Sequence, residues 1–453
     1  MNTQDDQSKG FLGGWKGLKE LIPNNKEIFS QIFTSLHSRN YRNFFYGQIV
    51  SNIGSFIQSI ALSWLVYRLT GSVLLLATVT FVTQIPSFFL TPITGVLVDR
   101  IGKRNLLIGT QAAFMIQAFA LAFLVLSHTI TVWQIVGLSL IMGIIHAFDI
   151  PARQVIIIDL VDQKEDLGNA IALNSAMFNS ARIIGTAIGG LLIGIIGEGY
   201  CILLNAFTYI AVLIPLFKIH IPENSSPVVR KNIVQEMNEG FTYVIKSVSL
   251  RSALLMTSVI SFFGFSMLVF LPAFVKDILR GDSTMLGFMM SSFGGGALVA
   301  ALYLAARKSV LGLGKIIMLS TFLIGIGLIG LSFVHVSWIA YVLGFPLGFS
   351  LIASVASLNT QLQTLSDNDY QGRVMSFYTM ALMGVVPIGS VILGYLEGYV
   401  GLSILFMING VVLIIASLIY ENSRPNIRKH MRKIYVEKGI VTEIASGLEA
   451  AKE

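Results

Sequence analysis

The chain has 453 residues and a formal net charge of +7, and 54% of its residues are hydrophobic while only 12% are charged. Soluble domains carry about 25% charged residues, so this composition excludes an ordinary soluble enzyme. The mean hydropathy of +0.75 indicates that most of the chain lies in lipid. Cys201 is the only cysteine, which excludes an internal disulfide and a cysteine-rich metal site.

The N-terminal segment holds no compact apolar stretch with a cleavage site behind it, so we expect a retained tail rather than a signal peptide. Twelve apolar segments follow, and a spanning helix needs roughly 20 apolar residues. The sequence therefore predicts an all-α polytopic membrane protein with twelve transmembrane helices in two pseudo-symmetric six-helix bundles. The predicted helices are 44–69, 73–98, 105–127, 132–158, 167–196, 201–217, 252–279, 285–306, 316–334, 336–362, 372–399 and 402–420.

Polar stretches between these segments predict the domain boundaries. They give an N-terminal tail 1–43, a bundle 44–218, a linker 219–251, a second bundle 252–420 and a basic tail 421–453. The two bundles are related in sequence, because a pattern in the fifth helix recurs in the eleventh: Ile188, Gly189 and Gly194 correspond to Ile388, Gly389 and Gly394. An internal repeat of this length is typical of secondary transporters.

The distribution of basic residues predicts the orientation. If the N-terminus is cytoplasmic, all but four of the 31 Lys and Arg residues lie in the tails or the inner loops; the exceptions are Arg68, Lys276, Arg280 and Arg182. Cytoplasmic segments are enriched in Lys and Arg, so both termini are expected in the cytoplasm. A basic inner face matches anionic lipid headgroups, which explains the positive charge without a nucleic-acid partner.

The connection between the second and third helices carries a charged, glycine-containing string, G-V-L-V-D-R-I-G-K-R. Three basic residues by themselves would fit a positively charged stop at a cytoplasmic loop, but such a stop needs no acid and no fixed glycines. The string therefore favours a functional loop with gating residues. These are Gly95, Asp99, Arg100, Gly102, Lys103 and Arg104.

This string resembles the loop signature of the major facilitator superfamily. The resemblance implies that Asp99 locks the two halves together by facing the N-terminus of the eleventh helix, which we expect to begin at Gly372 and Arg373. A helix N-terminus carries a partial positive charge that attracts an acid. The equivalent loop of the second half, A-A-R-K-S-V-L-G-L-G-K, has no acid at that position.

Further strings resemble one branch of this superfamily, which contains the bacterial enterobactin exporter and the macrolide efflux pumps. They are D-I-P-A-R-Q at 149–154, E-D-L-G-N-A-I-A-L-N-S-A-M-F-N-S-A-R-I-I-G at 165–185 and G-R-V-M-S at 372–376. The resemblance covers residues 39–420. It implies a multi-pass exporter of the bacterial inner membrane that works by alternating access.

Two sets of polar residues lie inside predicted spans. Arg182 shares the fifth helix with Asn174 and Asn179, and a buried charge there costs at least about 2.5 kcal/mol on insertion scales. This stripe lines a substrate path or makes a structural hydrogen bond between helices.

On the fourth helix His146, Asp149 and Arg153 share one face. Asp149 and His146 are candidates for proton coupling, and an Asp149–Arg153 pair that steadies the helix end is the alternative.

Glycines at 185, 189, 190 and 194 allow close helix packing and resemble the antiporter signature of exporters, although Thr186 replaces its proline. The resemblance also implies that the first, fourth, seventh and tenth helices line the central cavity. Amides and aromatic side chains on these helices suit a bulky amphiphile. They are Asn52, Gln58, Asn359 and Gln361, with Phe262, Phe263, Phe265 and Phe270 on the seventh helix.

The sequence thus favours a secondary exporter of a small amphiphilic molecule, with proton antiport as the driving force and a siderophore-like substrate. A macrolide or multidrug pump, a lysophospholipid flippase and a membrane scaffold or sensor without transport remain the alternatives. No arrangement of catalytic residues or metal ligands stands out, so we expect neither an enzyme nor a cofactor. The expected partners are the substrate, protons and membrane lipids, and the expected state is a monomer.

Overall fold

The computed structural model describes residues 34–219, 233–307 and 309–438, without the side chains of residues 91–101, 164, 233–236, 368–369 and 433. Every regular element within these ranges is helical, which confirms the predicted all-α class. Eleven of the described helices are long and apolar enough to cross a membrane. One of them, Leu167–Lys218, has 52 residues, or about 78 Å at 1.5 Å per residue. That length is more than twice the roughly 30 Å of a bilayer core.

Gly197 divides this long helix, because its backbone has φ 81° and ψ 165°, a conformation that breaks a helix and favours glycine. The described residues therefore form twelve spans. They are α1 Arg39–Thr70, α2 Val73–Ile101, α3 Lys103–Leu126, α4 Val132–Leu160, α5 167–196, α6 198–218, α7 248–278, α8 Ser283–Ala305, α9 Leu313–Ser332, α10 Ser337–Leu365, α11 368–400 and α12 Leu402–Glu437. The segment Ile233–Lys246, here named the linker helix, lies between α6 and α7.

Polar caps set the starts of several spans. The Ser72 hydroxyl accepts a hydrogen bond from the first turn of α2, and Thr131 and Gln134 form a reciprocal capping box at the start of α4. The Asp282 carboxylate accepts a hydrogen bond from the backbone N–H of Met285 in the first turn of α8. Each such bond satisfies a backbone N–H that has no partner within the helix. The short polar connections in the sequence therefore both end one span and begin the next.

The inner ends of α11 and α12 differ from the sequence-based boundaries. Helix α11 begins at Asn368 instead of Gly372, and α12 continues to Glu437 instead of ending at Tyr420. Hydropathy falls there, but the extension of α12 still packs on the second bundle. Its Met431 sulfur lies 3.2 Å from Gln361 Nε2 of α10, and Lys438 donates to the last carbonyls of α10.

The two bundles contact each other closely at one end, where α1 joins α2 and α7 joins α8. Basic residues predict that this end faces outside, and it is here named the outer end; the opposite end is the inner end. A Cβ atom on Gly190 of α5 would lie 2.6 Å from Cα of Gly287 on α8. One on Gly394 of α11 would lie 3.2 Å from Cβ of Ala77 on α2. Small residues thus bring backbones of opposite bundles into direct contact.

A polar contact reinforces this closure. Tyr67 at the outer end of α1 donates a hydrogen bond to the Asp277 carboxylate at the outer end of α7. The Lys276 ammonium lies 5.4 Å from the centre of the Tyr67 ring, within the range of a cation–π interaction. The first and second bundles are therefore joined at the outer end by a side-chain bridge as well as by glycine packing.

Candidate substrate pathway

One face of α5 passes from an exposed region to the closed contact between the bundles. Ser175, Asn179, Arg182 and Thr186 share this face, because a helix turns by about 100° per residue. Ser175 is exposed, whereas Thr186 is buried and its hydroxyl lies 3.3 Å from that of Ser291 on α8. Arg182 lies between them. The Arg182 side chain therefore lies on α5 between the exposed Ser175 and the contact of Thr186 with the second bundle.

One donor of the Arg182 guanidinium has no hydrogen-bond partner among the described residues. Its Nη2 donates to Asn179 Oδ1 over 2.9 Å, while its Nε is buried without a partner. No carboxylate of the described residues forms an ion pair with it. A buried cationic donor without an acceptor is costly. An anion or a hydroxyl-rich ligand at this position would remove that cost with charge-assisted hydrogen bonds.

Polar and aromatic residues of α1 lie near this face. Asn52 is buried, and its Nδ2 is 4.0 Å from the sulfur of Met177 on α5. The rings of Phe56 and Phe178 meet edge to face at 5.2 Å, with Phe178 partly exposed. Asn174 is half-buried, one helical turn further toward the inner end. The substrate-binding roles of Asn52 and Asn174 remain predictions.

Gln58 contacts a different part of the first bundle. It is fully buried, and its Oε1 accepts a hydrogen bond from Asn205 Nδ2 of α6 over 2.6 Å. The same Asn205 also accepts a bond from the Thr208 hydroxyl. This arrangement connects α1 to α6 within the bundle. The observed contacts of Gln58 are therefore structural, and its substrate-binding role remains a prediction.

The second bundle contributes fewer exposed polar groups from the predicted set. Asn359 on α10 is half-buried, and its Oδ1 accepts from Gln363 Nε2 over 2.5 Å. Gln361 is fully buried. On α7, Phe262 and Phe263 pack ring to ring and are half-buried, whereas Phe270 is buried in the apolar core of the bundle. Of the aromatic residues expected to line the cavity, Phe270 thus faces other side chains.

Asp149 is the centre of a polar network in the first bundle. It is only 2% exposed. Its Oδ1 accepts hydrogen bonds from Thr110 and Gln111 of α3, over 2.9 and 2.7 Å. Its Oδ2 accepts two from the Arg153 guanidinium, over 3.1 and 2.5 Å. Arg153 donates in turn to Gln48 of α1. The predicted Asp149–Arg153 pair is present and connects α1, α3 and α4.

His146 lies one turn before Asp149 on the same face of α4. Its ring packs against Phe114, with the ring centres 4.7 Å apart. Two amide atoms of the Asp149 network, Gln48 Nε2 and Gln111 Oε1, are buried without partners. The network therefore holds one unused donor group, on Gln48, and one unused acceptor, on Gln111.

The basic residues of the loop between α2 and α3 bind neighbouring inner ends. Gly102 has φ 84° and makes the turn. The Lys103 ammonium pairs with Asp159 of α4 over 2.8 Å. The Arg104 guanidinium donates to two carbonyls at the end of α6, where the helix carries partial negative charge. Arg373 on α11 pairs with Glu239 of the linker helix over 3.0 Å.

Gly95, Asp99 and Arg100 belong to the segment 91–101, whose side chains lie outside the described residues. The expected position of Arg373 changes in one respect, because α11 starts at Asn368 and Arg373 is therefore in the second turn of the helix. The gating role of these residues remains a prediction.

The fold and these sites match a known family. The family model described as "transmembrane secretion effector", of the major facilitator superfamily, matches residues 30–435. The chain belongs to this family. It is thus a multi-pass membrane efflux transporter of the major facilitator type with a small-molecule substrate, and not an enzyme.

Several relatives of this chain are transporters. The staphyloferrin A transporter of Staphylococcus aureus is 28% identical over 83% of the chain and 94% of its own length. Macrolide efflux protein A of Streptococcus pyogenes is 23% identical over 82% and 93%. A homologue of the multi-drug resistance efflux pump PmrA from Lactococcus lactis is 25% identical over 77% and 84%.

Solved structures agree on the fold. The nucleoside transporter NupG superposes with a TM-score of 0.69 at 12% identity, over 84% of this chain and 99% of NupG. A bacterial homologue of the lysosomal transporter Spinster, in an inward-facing conformation, gives a TM-score of 0.64 over 86% and 98%. At these identities the likeness concerns the arrangement of helices alone.

Part of the polar network around Asp149 was not predicted from the sequence. Gln48, Thr110 and Gln111 contact the Asp149–Arg153 pair but were not among the candidate residues. A signal was present, because uncharged polar residues inside an apolar span need partners. A search for adjacent Thr and Gln within predicted spans would have found the pair on α3.

Proposed function

We propose that this protein exports an anionic, siderophore-like amphiphile from the bacterial cytoplasm by alternating access, with proton antiport as the driving force. The observation that carries the proposal is the buried Arg182 Nε without a partner, on the face of α5 that runs from the exposed Ser175 to the contact of Thr186 with α8. Carboxylate or catecholate groups would accept its hydrogen bonds, while a cationic drug would be repelled. Asn52, Asn174, Asn179 and Asn359 would bind the remaining polar groups.

The orientation is part of the proposal. The basic inner loops favour cytoplasmic termini in the bacterial inner membrane, so the closed outer end would face away from the cytoplasm and the substrate would enter from inside. A single chain forms both walls of the pathway, which supports transport by a monomer.

Proton coupling is assigned to Asp149, with His146 as its neighbour. Protonation of Asp149 would remove the negative charge that holds Arg153 and would release the contact of Arg153 with Gln48 on α1. A proton would thereby change how α4 is tied to α1. The unused donor of Gln48 and acceptor of Gln111 would accommodate the rearranged hydrogen bonds.

The direct test combines a deletion strain with variants at Arg182. Cells lacking the protein are grown under iron limitation, and siderophore is measured inside and outside the cells. The deletion should raise the internal fraction, and wild-type protein should restore secretion. Arg182→Ala should abolish it while the protein remains in the membrane, and Arg182→Lys should retain partial activity because it keeps the charge but loses the planar fork.

The hypothesis that the protein exports macrolides makes a different prediction for the same strain. Relatives named as macrolide efflux proteins support it, as does the aromatic Phe56–Phe178 pair beside Arg182. If siderophore secretion is unchanged while sensitivity to macrolide-like compounds rises, export of a bulky drug replaces the siderophore proposal. If the Arg182→Ala variant disappears from the membrane, Arg182 has a structural role instead.

A further inference from the structure

The linker helix Ile233–Lys246 is docked on the inner end of α11. The rings of Tyr243 and Tyr370 stack at 4.4 Å and an interplanar angle of 6°. The Tyr243 hydroxyl donates to Asp367 Oδ2 over 3.0 Å; burial raises the pKa of Tyr243, so the phenol remains a donor. Together with the Arg373–Glu239 pair, these contacts hold one face of the linker helix against the protein.

The helical rotation of about 100° per residue divides the linker helix into three faces. The first face points at α11 and contains Gly240, Tyr243 and Val244. A Cβ atom on Gly240 would lie 2.9 Å from Cβ of Arg373, and Val244 is buried. The second face is polar and exposed, with Asn238, Thr242 and Lys246.

The third face is apolar and exposed. Met237, Phe241 and Ile245 follow at intervals of four residues, and their side chains are 46%, 53% and 44% exposed. We name this set the apolar stripe. It lies between the docked face and the polar face of the same helix. Three large apolar side chains in one row on the surface indicate a partner that is itself apolar.

We propose that the apolar stripe of the linker helix lies in the interfacial region of the inner lipid leaflet. The stripe adjoins a helix that enters the membrane, because the Phe241 ring is 6.1 Å from the ring of Phe377 on the spanning helix α11. Interfacial helices place their apolar face about 5–10 Å into the boundary between headgroups and acyl chains. The exposed Lys246 and Arg251 stand beside the stripe, where headgroup phosphates would bind them.

This contact would allow the lipid to influence the position of the inner end of α11. The docked face ties the linker helix to Asp367, Tyr370 and Arg373 at the inner end of α11. A lipid-anchored linker helix would therefore restrain the inner end of α11 relative to the membrane surface. The inference depends on the membrane location of the family and is independent of the substrate.

Spin-label accessibility tests the proposal on the full chain in liposomes of phosphatidylethanolamine and phosphatidylglycerol. Cys201 is buried and is replaced by Ala, and single cysteines are placed at Met237→Cys, Phe241→Cys and Ile245→Cys. Asn238→Cys and Thr242→Cys on the polar face are the matched controls. Collision with oxygen, which concentrates in lipid, is compared with collision with a water-soluble nickel chelate.

The stripe positions should collide more with oxygen than with nickel, and the polar positions should show the reverse. Equal nickel accessibility on both faces would mean that the stripe lies in water and would overturn the proposal. Protection of the stripe from both reagents would also overturn it, because another segment of protein would then cover the stripe. Three stripe positions keep the test decisive if one variant does not fold.

Discussion

At matched positions in the two bundles, buried polar residues form different hydrogen bonds: between helices in the first bundle and within one helix in the second. Asp149 is the eighteenth residue of α4, and Ser354 is the eighteenth of α10. Asp149 accepts hydrogen bonds from two residues of α3 and from Arg153 of its own helix. The Ser354 hydroxyl donates to the carbonyl of Leu351 in its own helix. At the position that matches Arg153, α10 has Leu358.

The neighbouring helices repeat this difference. Gln111 of α3 corresponds in position to Thr321 of α9, and Gln48 of α1 to Thr257 of α7. Both threonine hydroxyls donate to a carbonyl four residues earlier in the same helix. At these matched positions the polar groups of the second bundle bond within their own helices, while those of the first bundle connect three helices. If Asp149 is protonated during transport, as proposed, the contacts among α1, α3 and α4 would change, and the second bundle has no equivalent contacts at these positions.

The largest expected effect comes from breaking the ion pair of the first bundle. Arg153→Leu leaves the Asp149 carboxylate buried without its cation, which typically costs about 3–5 kcal/mol. The double variant Asp149→Ser with Arg153→Leu copies the residues of α10 and removes both charges. We expect the single variant to unfold at a much lower temperature and the double variant to regain most of that loss, as measured by thermal unfolding in detergent.

Transport by the double variant sharpens the comparison. If Asp149 couples protons to export, the double variant should be folded but should show no response of transport to a proton gradient in proteoliposomes. Ser354→Ala in α10 is the control, with normal stability and normal coupling expected. Proton-driven transport by the double variant would show that Asp149 has a structural role only.

The sequence predicted the location of the Asp149–Arg153 pair but not the network around it. A spacing of four residues on one helix is visible in the sequence, so Asp149 and Arg153 could be paired by helical geometry alone. The bonds to Gln111 on α3 and Gln48 on α1 depend on how the helices pack, which one helix does not reveal. Helix ends were least accurate where hydropathy falls, as at residues 421–437 of α12.

The outer bridge joins the two bundles, and its removal should have a smaller effect. Tyr67→Phe deletes a hydrogen bond to a charged group, worth about 1.5–3 kcal/mol. Because the bridge spans the closed end, its loss should shift the population toward states that are open outside. Spin-label distances between the outer ends of α1 and α7 measure this shift. Tyr200→Phe on the exposed surface of α6 is the control, and equal distance distributions for both variants would exclude a role in closure.

The loop acid Asp99 should contribute less, because its predicted partner is the partial charge of a helix terminus. Such interactions are worth about 0.3–1 kcal/mol. Asp99→Asn should keep ligand binding but slow or bias the conformational cycle, since only a difference between states shifts their populations. Distances between labels at the inner ends of α2 and α11 would decide, and an unchanged distribution would rule out the lock.

The smallest effect is expected in the second bundle, where Thr321→Val removes a hydroxyl that bonds only within α9. The Ile317 carbonyl keeps its helical N–H partner, and valine has nearly the shape of threonine, so no buried group is left unsatisfied. The loss of stability should stay below about 0.6 kcal/mol, the mean measured for hydrogen bonds between membrane helices. Thermal unfolding of Thr321→Val and of Arg153→Leu, measured under the same conditions, compares the two losses of stability directly. A loss from Thr321→Val that approached that of Arg153→Leu would mean that Thr321 also connects helices, and the difference between the two bundles would fail.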